Sequence, residues 1–337
     1  MSRIFITDTT LRDGSHSVSH QYTPQDVADI ALALENASVD IIELGHGDGL
    51  EGSTIQYGFA YARDMDYIKA ASSVLTKSKL AVLLIPGIGT VHDLVKAKEN
   101  GAKVVRVATH VTEADISEQH IKAAKDMDMF AVGFLMMSHM APVEKIVEQA
   151  LLMESYGADA VYVTDSAGAL LPHEVAERVS ALKKHLRVPI GHHAHNNLGM
   201  AVANSVAAAE AGAAYLDGSL IGLGAGAGNC PTEMLVAVLN KKNFDVNADL
   251  YKTIDAGDDV LIPIIRGKGK ELPRFSSDSL MIGYSGVYSS FMLHARRAAE
   301  KFNVDPRDIL VELGRRKVVG GQEDWIIEVA HELANKK

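Results

Sequence analysis

The chain has 337 residues, 47% of them hydrophobic and 23% charged, with a formal net charge of −10: enough for one barrel-sized domain with an appendage and a sizeable core. The acid excess and the lack of any basic run argue against a nucleic-acid partner, and a single cysteine, Cys230, excludes an internal disulfide and a cysteine-built zinc site. No apolar run approaches the ~18–20 residues of a membrane span, and MSRIFITDTT reads as a strand rather than a signal peptide, so a cytoplasmic protein with no membrane contact is expected.

Short apolar, β-rich runs follow one another at 3–7, 39–45, 80–86, 104–109, 129–136, 160–166, 188–195 and 215–222. Helical spacing fills the intervals. In 142–157, Val143, Ile146, Val147, Ala150 and Leu151 share one face, opposite Glu144, Lys145 and Glu148. Thr23-Pro24 and Ala141-Pro142 mark helix starts, and Gly101, Gly157 and Gly212 mark ends. Strand–helix alternation with continuously apolar strands means a parallel sheet covered by helices. Eight such units predict a closed (β/α)8 barrel. The rival, an open doubly wound sheet, usually shows a Gly-rich turn after its first strand, where this chain has TDTTLRDGSH. The alternation stops near 245, which divides the chain into a barrel (1–245) and a helical C-terminal domain (246–337).

Barrel chemistry sits at the C-terminal ends of the strands. His193 and His195 stand two apart on the seventh strand and project to one face. With Asp13 from the end of the first, they form a two-histidine, one-carboxylate set that leaves coordination positions open for substrate. In a chain with 14 histidines, an HxH string also arises by chance. Arg12 offers a fork of donors to an oxyanion or, more commonly, makes a structural ion pair. His16 is either a general base or an exposed loop histidine. Ser166 either donates to substrate or caps the next helix. The GLGAGAG run, with Gly222, Gly224, Gly226 and Gly228, lacks a phosphate-loop lysine and reads as a tight loop near the site rather than a phosphate cradle.

DTTLRDGSH, HAHNNLGMAVANS and GLGAGAGNCP together resemble the metal-dependent lyase and synthase barrels that include isopropylmalate synthase, homocitrate synthase and hydroxymethylglutaryl-CoA lyase. ELGHGDGLEGSTIQYGFAY (43–61), LLIPGIGT (83–90), FLMMSHM (134–140), LLMESYGADAVYVTDSAGAL (151–170) and GYSGVYSSFMLHA (283–295) resemble, more narrowly, the 4-hydroxy-2-oxovalerate aldolases. The resemblance spans nearly the whole chain. It implies that Asp13, His193 and His195 bind Mn²⁺, with Mg²⁺ or Co²⁺ as alternatives, and that His193 also borders substrate. It implies that Arg12 steadies a pyruvate enolate and that His16 takes the C4-hydroxyl proton. Ser166 would contact substrate, Tyr284 would act at the aldehyde end, and Leu83 and Ile85 would wall the alkyl group. Cys230 after Asn229, and HNN in the strand 7 string, are small departures that bear on substrate preference.

The implied activity is a class II retro-aldol cleavage of 4-hydroxy-2-oxopentanoate to pyruvate and acetaldehyde, in aromatic hydrocarbon catabolism. A class I mechanism needs a strand-end lysine, and none lies in these motifs. The implied partner is an acylating acetaldehyde dehydrogenase that receives the aldehyde by channelling, alongside homodimer contacts. Phe291, Met292, Leu310, Val311, Trp325, Ile326 and Ile327 exceed the apolar surface that one thin helical layer needs, which fits such a partner or packing against the barrel or a second copy of the chain. An acyl-CoA-dependent Claisen enzyme on the same metal core, and a non-catalytic scaffold subunit, are the competing readings.

Overall fold

A computed structural model describes residues 3–273 and 276–335. The strands are β1 (Arg3–Leu11), β2 (Ile41–Leu44), β3 (Lys79–Leu84), β4 (Val104–His110), β5 (Phe130–Met136), β6 (Ala160–Asp165), β7 (Ile190–Ala194) and β8 (Tyr215–Gly218). Each is followed by a helix: α1 (Pro24–Asn36), α2 (Asp64–Ser72), α3 (Val91–Glu99), α4 (Glu118–Asp126), α5 (Val143–Ser155), α6 (Pro172–His185), α7 (Ala201–Glu210) and α8 (Thr232–Lys241). Neighbouring strands pair in parallel, and β1 pairs with both β2 and β8, so the sheet closes into the expected (β/α)8 barrel. A short β9 (Asp245–Val246) adds to the start of β1.

Local signals place these elements. Thr23 and Asp26 form a reciprocal capping box with Pro24 in the first turn of α1, and Thr90 and Asp93 repeat the box at α3. Gly101, Gly157 and Gly212 end helices at φ of 119°, 103° and 105°, where a side chain would be strained. Two strands differ from expectation. β1 runs on to Leu11, with an irregular register between Asp8 and Leu11. β8 stops at Gly218 and gives way to a 3₁₀ turn, Leu220–Gly222, in which Ile221 is left-handed.

Alternation along the strands builds two cores. Val105 and Val107 face the helices, while Val104 and Ala108 point into the barrel with Ala81, Leu83, Val132, Phe134 and Tyr162. The same inward face carries the buried charged side chains Glu43, Arg106 and Asp217.

Beyond β9 come α9 (Leu250–Asp255), a π-helical turn (Ala256–Leu261) and α10 (Ile262–Gly267). Ala248, Ala256, Leu261 and Ile265 are buried in the same core as the barrel helices. α11 (Ser277–Ser285), α12 (Phe291–Phe302), α13 (Pro306–Arg315) and α14 (Asp324–Asn335) surround a separate core. Phe291, Met292, Leu310 and Ile326 are buried there, and Trp325 packs against it, so this layer consumes most of the apolar surface that looked surplus. Val311 and Ile327 stay exposed. Among the described residues no helix is long and apolar enough to cross a membrane.

Candidate metal centre

The end of β1 carries Arg12 and Asp13 directly into the barrel mouth, and a 3₁₀ turn, Asp13–Val18, presents His16 beside them. β7 delivers His193 from inside the strand and His195 just past its end, where the backbone bridges to Asn229. Asp13 Oδ2 lies 3.5 Å from Nε2 of both histidines. All three residues are buried. His192, immediately before His193 in sequence, points the other way, and its Nδ1–H donates to Val163 O at 2.9 Å.

Asp13 and His193 are also engaged through their other side-chain polar atoms. Asp13 Oδ1 accepts from Ala225 N at 2.9 Å, a bond supplied by the glycine-rich loop. That loop is drawn tight: a Cβ on Gly228, whose φ is +87°, would stand 2.0 Å from Gly222 O. His193 Nδ1 lies 2.8 Å from Asp217 Oδ2. Beside a carboxylate, Nδ1 carries the proton, which leaves the Nε2 lone pair turned toward Asp13.

Three residues without a role in the sequence reading complete the site. Arg12 donates through Nε to Glu43 Oε2 at 2.8 Å and through NH1 to Asp13 Oδ2 at 3.0 Å. Arg106 donates to Glu43 Oε2 at 3.0 Å and, very closely, to Asp217 Oδ2. The guanidinium of Arg106 also lies over the rings of Phe134 (4.3 Å) and Tyr162 (4.7 Å). The result is a closed buried circuit, Asp13–Arg12–Glu43–Arg106–Asp217–His193 and back to Asp13. Their sequence signal was a lone charge within otherwise apolar strands: IIEL, VVRVAT and YLDG.

Electrostatics test whether a cation fits. Two guanidinium groups face three carboxylates, so with neutral histidines the circuit carries net negative charge out of contact with water. Burial alone would push Asp13 up, but Arg12 and His195 outweigh it and hold the carboxyl well below the usual range. Burial likewise opposes ionisation of Asp217, and Arg106 overrides it. Glu43 Oε1 and Asp217 Oδ1 are buried with no hydrogen-bond partner among the described residues. Acceptor atoms converging on one point, in a pocket one positive charge short of balance, suit a divalent cation held by two imidazoles and a carboxylate.

Of the other expected residues, His16 lies in the turn after β1, Leu83 in β3, Ile85 just past it, Ser166 just past β6 and Tyr284 in α11. The ring of His16 packs against Gly47, where a Cβ would lie 2.3 Å from Nε2. Leu83 is buried in the barrel interior, and Ile85 packs against the apolar residues there. Ser166, just past β6, accepts from Met137 N at 3.0 Å and lies 3.1 Å from Thr164 Oγ1. Tyr284 is 70% exposed near the end of α11, and among the described residues it makes no hydrogen bond to the cluster. α11 itself rests on the barrel mouth, where Ser279 O accepts from Asn197 Nδ2 at 2.9 Å.

Residues 3–260 match the HMGL-like family, and residues 273–335 match the DmpG-like communication domain. Among curated proteins, the 4-hydroxy-2-oxovalerate aldolase of Carboxydothermus hydrogenoformans is 61% identical, with 99% of each chain covered. The enzymes of that name from Moorella thermoacetica and Geobacillus thermodenitrificans are 60% and 59% identical, covering 99% of this chain and 98% and 96% of theirs. The carboxyl transferase domain of Rhizobium etli pyruvate carboxylase, solved with pyruvate, superposes over 100% of this chain and 61% of its own, with a TM-score of 0.81 and 17% identity, a likeness of fold. The chain belongs to the HMGL-like family and, within it, to the 4-hydroxy-2-oxovalerate aldolases.

Proposed function

We propose that this protein cleaves 4-hydroxy-2-oxopentanoate to pyruvate and acetaldehyde with the help of a divalent cation, Mn²⁺ being the expected ion. The observation that carries the reading is the convergence of Asp13 Oδ2 with Nε2 of His193 and His195, beside the guanidinium of Arg12. Membership of the aldolase family supports the substrate.

Asp13, His193 and His195 would hold the ion, which would act as a Lewis acid on the carboxylate and keto oxygens of the 2-oxo acid. His193 is then at the border of ion and substrate, oriented by Asp217. Arg12, fixed in the plane of Glu43 and Asp13, directs positive charge toward the oxygen that becomes the pyruvate enolate. His16 takes the C4-hydroxyl proton, the C3–C4 bond breaks, acetaldehyde departs, and the enolate is protonated at C3. Ser166 directs its hydroxyl proton at Thr164 Oγ1, which itself donates to Leu135 O, and would turn that proton to a substrate oxygen. Leu83 and Ile85 form the apolar wall toward the alkyl end, with Tyr284 closing the aldehyde side from α11.

We further assign docking of an acylating acetaldehyde dehydrogenase to α11–α14. The communication-domain match supports this, as do Leu293, Val311 and Ile327, which stay exposed on three of these helices. The burial of α9–α10 residues in the barrel core supports counting the chain up to Gly267 with the catalytic part.

The test is a product assay on 4-hydroxy-2-oxopentanoate with Mn²⁺-loaded protein. Equal release of pyruvate and acetaldehyde is expected. Free coenzyme A release from an acyl-CoA and a 2-oxo acid, without aldol cleavage, would replace this reading with the Claisen one.

A further inference from the structure

We propose that His20 is a positioning residue for His16, acting through the peptide of Gly47. The inference rests on the reading that His16 takes the C4-hydroxyl proton, and it assigns a task to an imidazole that the reaction itself does not use.

The backbone works hard to put His20 where it is. Ser19 and His20 are consecutive non-glycine residues at φ of 55° and 60°. A left-handed side chain is sterically costly, and two in a row more so. Ser38, Asp128, Asn243, Asn303 and Lys317 adopt that conformation singly just past a helix, where such a turn is routine, and Ser19 does so past the 3₁₀ turn Asp13–Val18, but at Ser19 a second left-handed non-glycine residue, His20, follows. Here the turn folds the chain back under the 3₁₀ segment, with His20 N donating to Ser15 O at 2.7 Å and Tyr61 N donating to His20 O at 3.0 Å.

The ring so placed touches Ser15, His46, Gly47 and His16 itself. Ser15 Oγ stands 3.0 Å from His20 Nδ1, and Gly47 N donates to the same nitrogen at 3.4 Å. Nδ1 therefore carries the lone pair. One face of His20 stacks on His46 at 3.7 Å between centroids, and its edge meets His16 at 4.8 Å and 71°. Gly47 in turn offers its bare Cα to the ring of His16 and its carbonyl to Arg12 NH1 at 3.4 Å. Gly47 thus seats the ring of His16, and His20 holds Gly47 by its N–H. Burial, with His16 and His46 alongside, pushes His20 down to about 3, so it is uncharged near neutrality and suited to holding rather than exchanging protons.

The experiment is a double-mutant cycle on the Mn²⁺-loaded full chain, reading aldol cleavage and, separately, exchange of the pyruvate C3 protons with D₂O. His20→Ala is expected to lower kcat for cleavage by ~10²-fold, the scale of a misplaced reacting group, with KM nearly unchanged and C3 exchange retained. His20→Asn, whose Oδ1 takes the place of Nδ1 as acceptor from Gly47 N, should recover most of the rate. In a His16→Ala background, His20→Ala should cost nothing further. Parallel loss of cleavage and exchange in His20→Ala would overturn the proposal, as would a slow His16→Ala that slows again by the full His20→Ala factor. Wild-type cleavage by His16→Ala would instead remove the base assignment and this inference with it.

Discussion

His193 Nδ1 and Asp217 Oδ2 stand 2.8 Å apart inside the barrel, while Arg106 holds the same carboxylate oxygen from the opposite side. Asp217 thus serves two groups: it fixes the imidazole tautomer and neutralises a buried guanidinium. Asp217→Asn keeps the shape but loses the charge. Mn²⁺ affinity, measured by equilibrium dialysis, should fall ~10–100-fold, the usual weight of such an outer partner. Breaking the ion pair with Arg106 should also lower Tm, because an uncompensated buried charge is strongly destabilising. Unchanged affinity would mean that His193 is oriented by something other than Asp217.

In the proposed reaction Arg12 and His16 divide the labour, one at the enolate oxygen and the other at the C4 hydroxyl. Arg12→Lys keeps a positive charge but loses the fork that spans Glu43 and Asp13. It should bind Mn²⁺ normally while kcat falls by ~10²-fold or more. His16→Ala should slow cleavage far more than C3 proton exchange, since only cleavage needs the C4-hydroxyl proton removed. Equal loss in both reactions would place His16 elsewhere in the mechanism.

The residues that name the site were legible in the sequence for a geometric reason. Asp13 and the His193/His195 pair sit at strand ends, and barrel topology brings all strand ends of one polarity together. Glu43, Arg106 and Asp217 were not legible as a group. They contact one another across 63 and 111 residues of chain, and nothing local distinguishes an inward charge paired across a barrel from a chance interruption of an apolar strand. The early end of β8 was hidden similarly. GSLIGLG continues the apolar run, but Ser219 and the glycine loop bond to one another, and to Thr10, instead of extending the sheet. The C-terminal apolar residues looked like an interface because periodicity along one helix cannot show that three others supply the opposing face.

Glu233 gives the stability a pH dependence of known sign. Burial pushes its carboxyl from 4.5 up to about 7, although Ile221 N donates to it at 2.9 Å. A folded pKa above the unfolded one means that the folded chain holds the proton more tightly. The stabilisation is therefore complete below about 4.5 and is lost as pH rises through about 7. Glu233→Gln should raise Tm relative to the parent at pH 8 and lose that advantage toward pH 5, by differential scanning fluorimetry. A constant difference between the two proteins across this range would show that Glu233 does not titrate there.

The exposed apolar side chains of α12, α13 and α14 bear on the partner assignment. Ile327 is 46% exposed and Leu293 56%, so charging them should leave the fold and the aldolase reaction intact. Leu293→Asp with Ile327→Asp should abolish co-elution with an acylating acetaldehyde dehydrogenase on size exclusion, without altering kcat for cleavage. Co-elution of the double variant at parental strength would move the docking surface elsewhere on the chain.

The central claim is that Asp13, His193 and His195 hold a cation on which aldol cleavage depends. Its most direct test follows pyruvate release from 4-hydroxy-2-oxopentanoate by exhaustively chelated protein during titration with Mn²⁺, with bound ion counted in parallel. The account predicts no activity without metal, recovery that tracks the filling of one site per chain, and loss of that site in Asp13→Ala, His193→Ala and His195→Ala. Full cleavage by the chelated protein, or undiminished Mn²⁺ binding by all three variants, would contradict it.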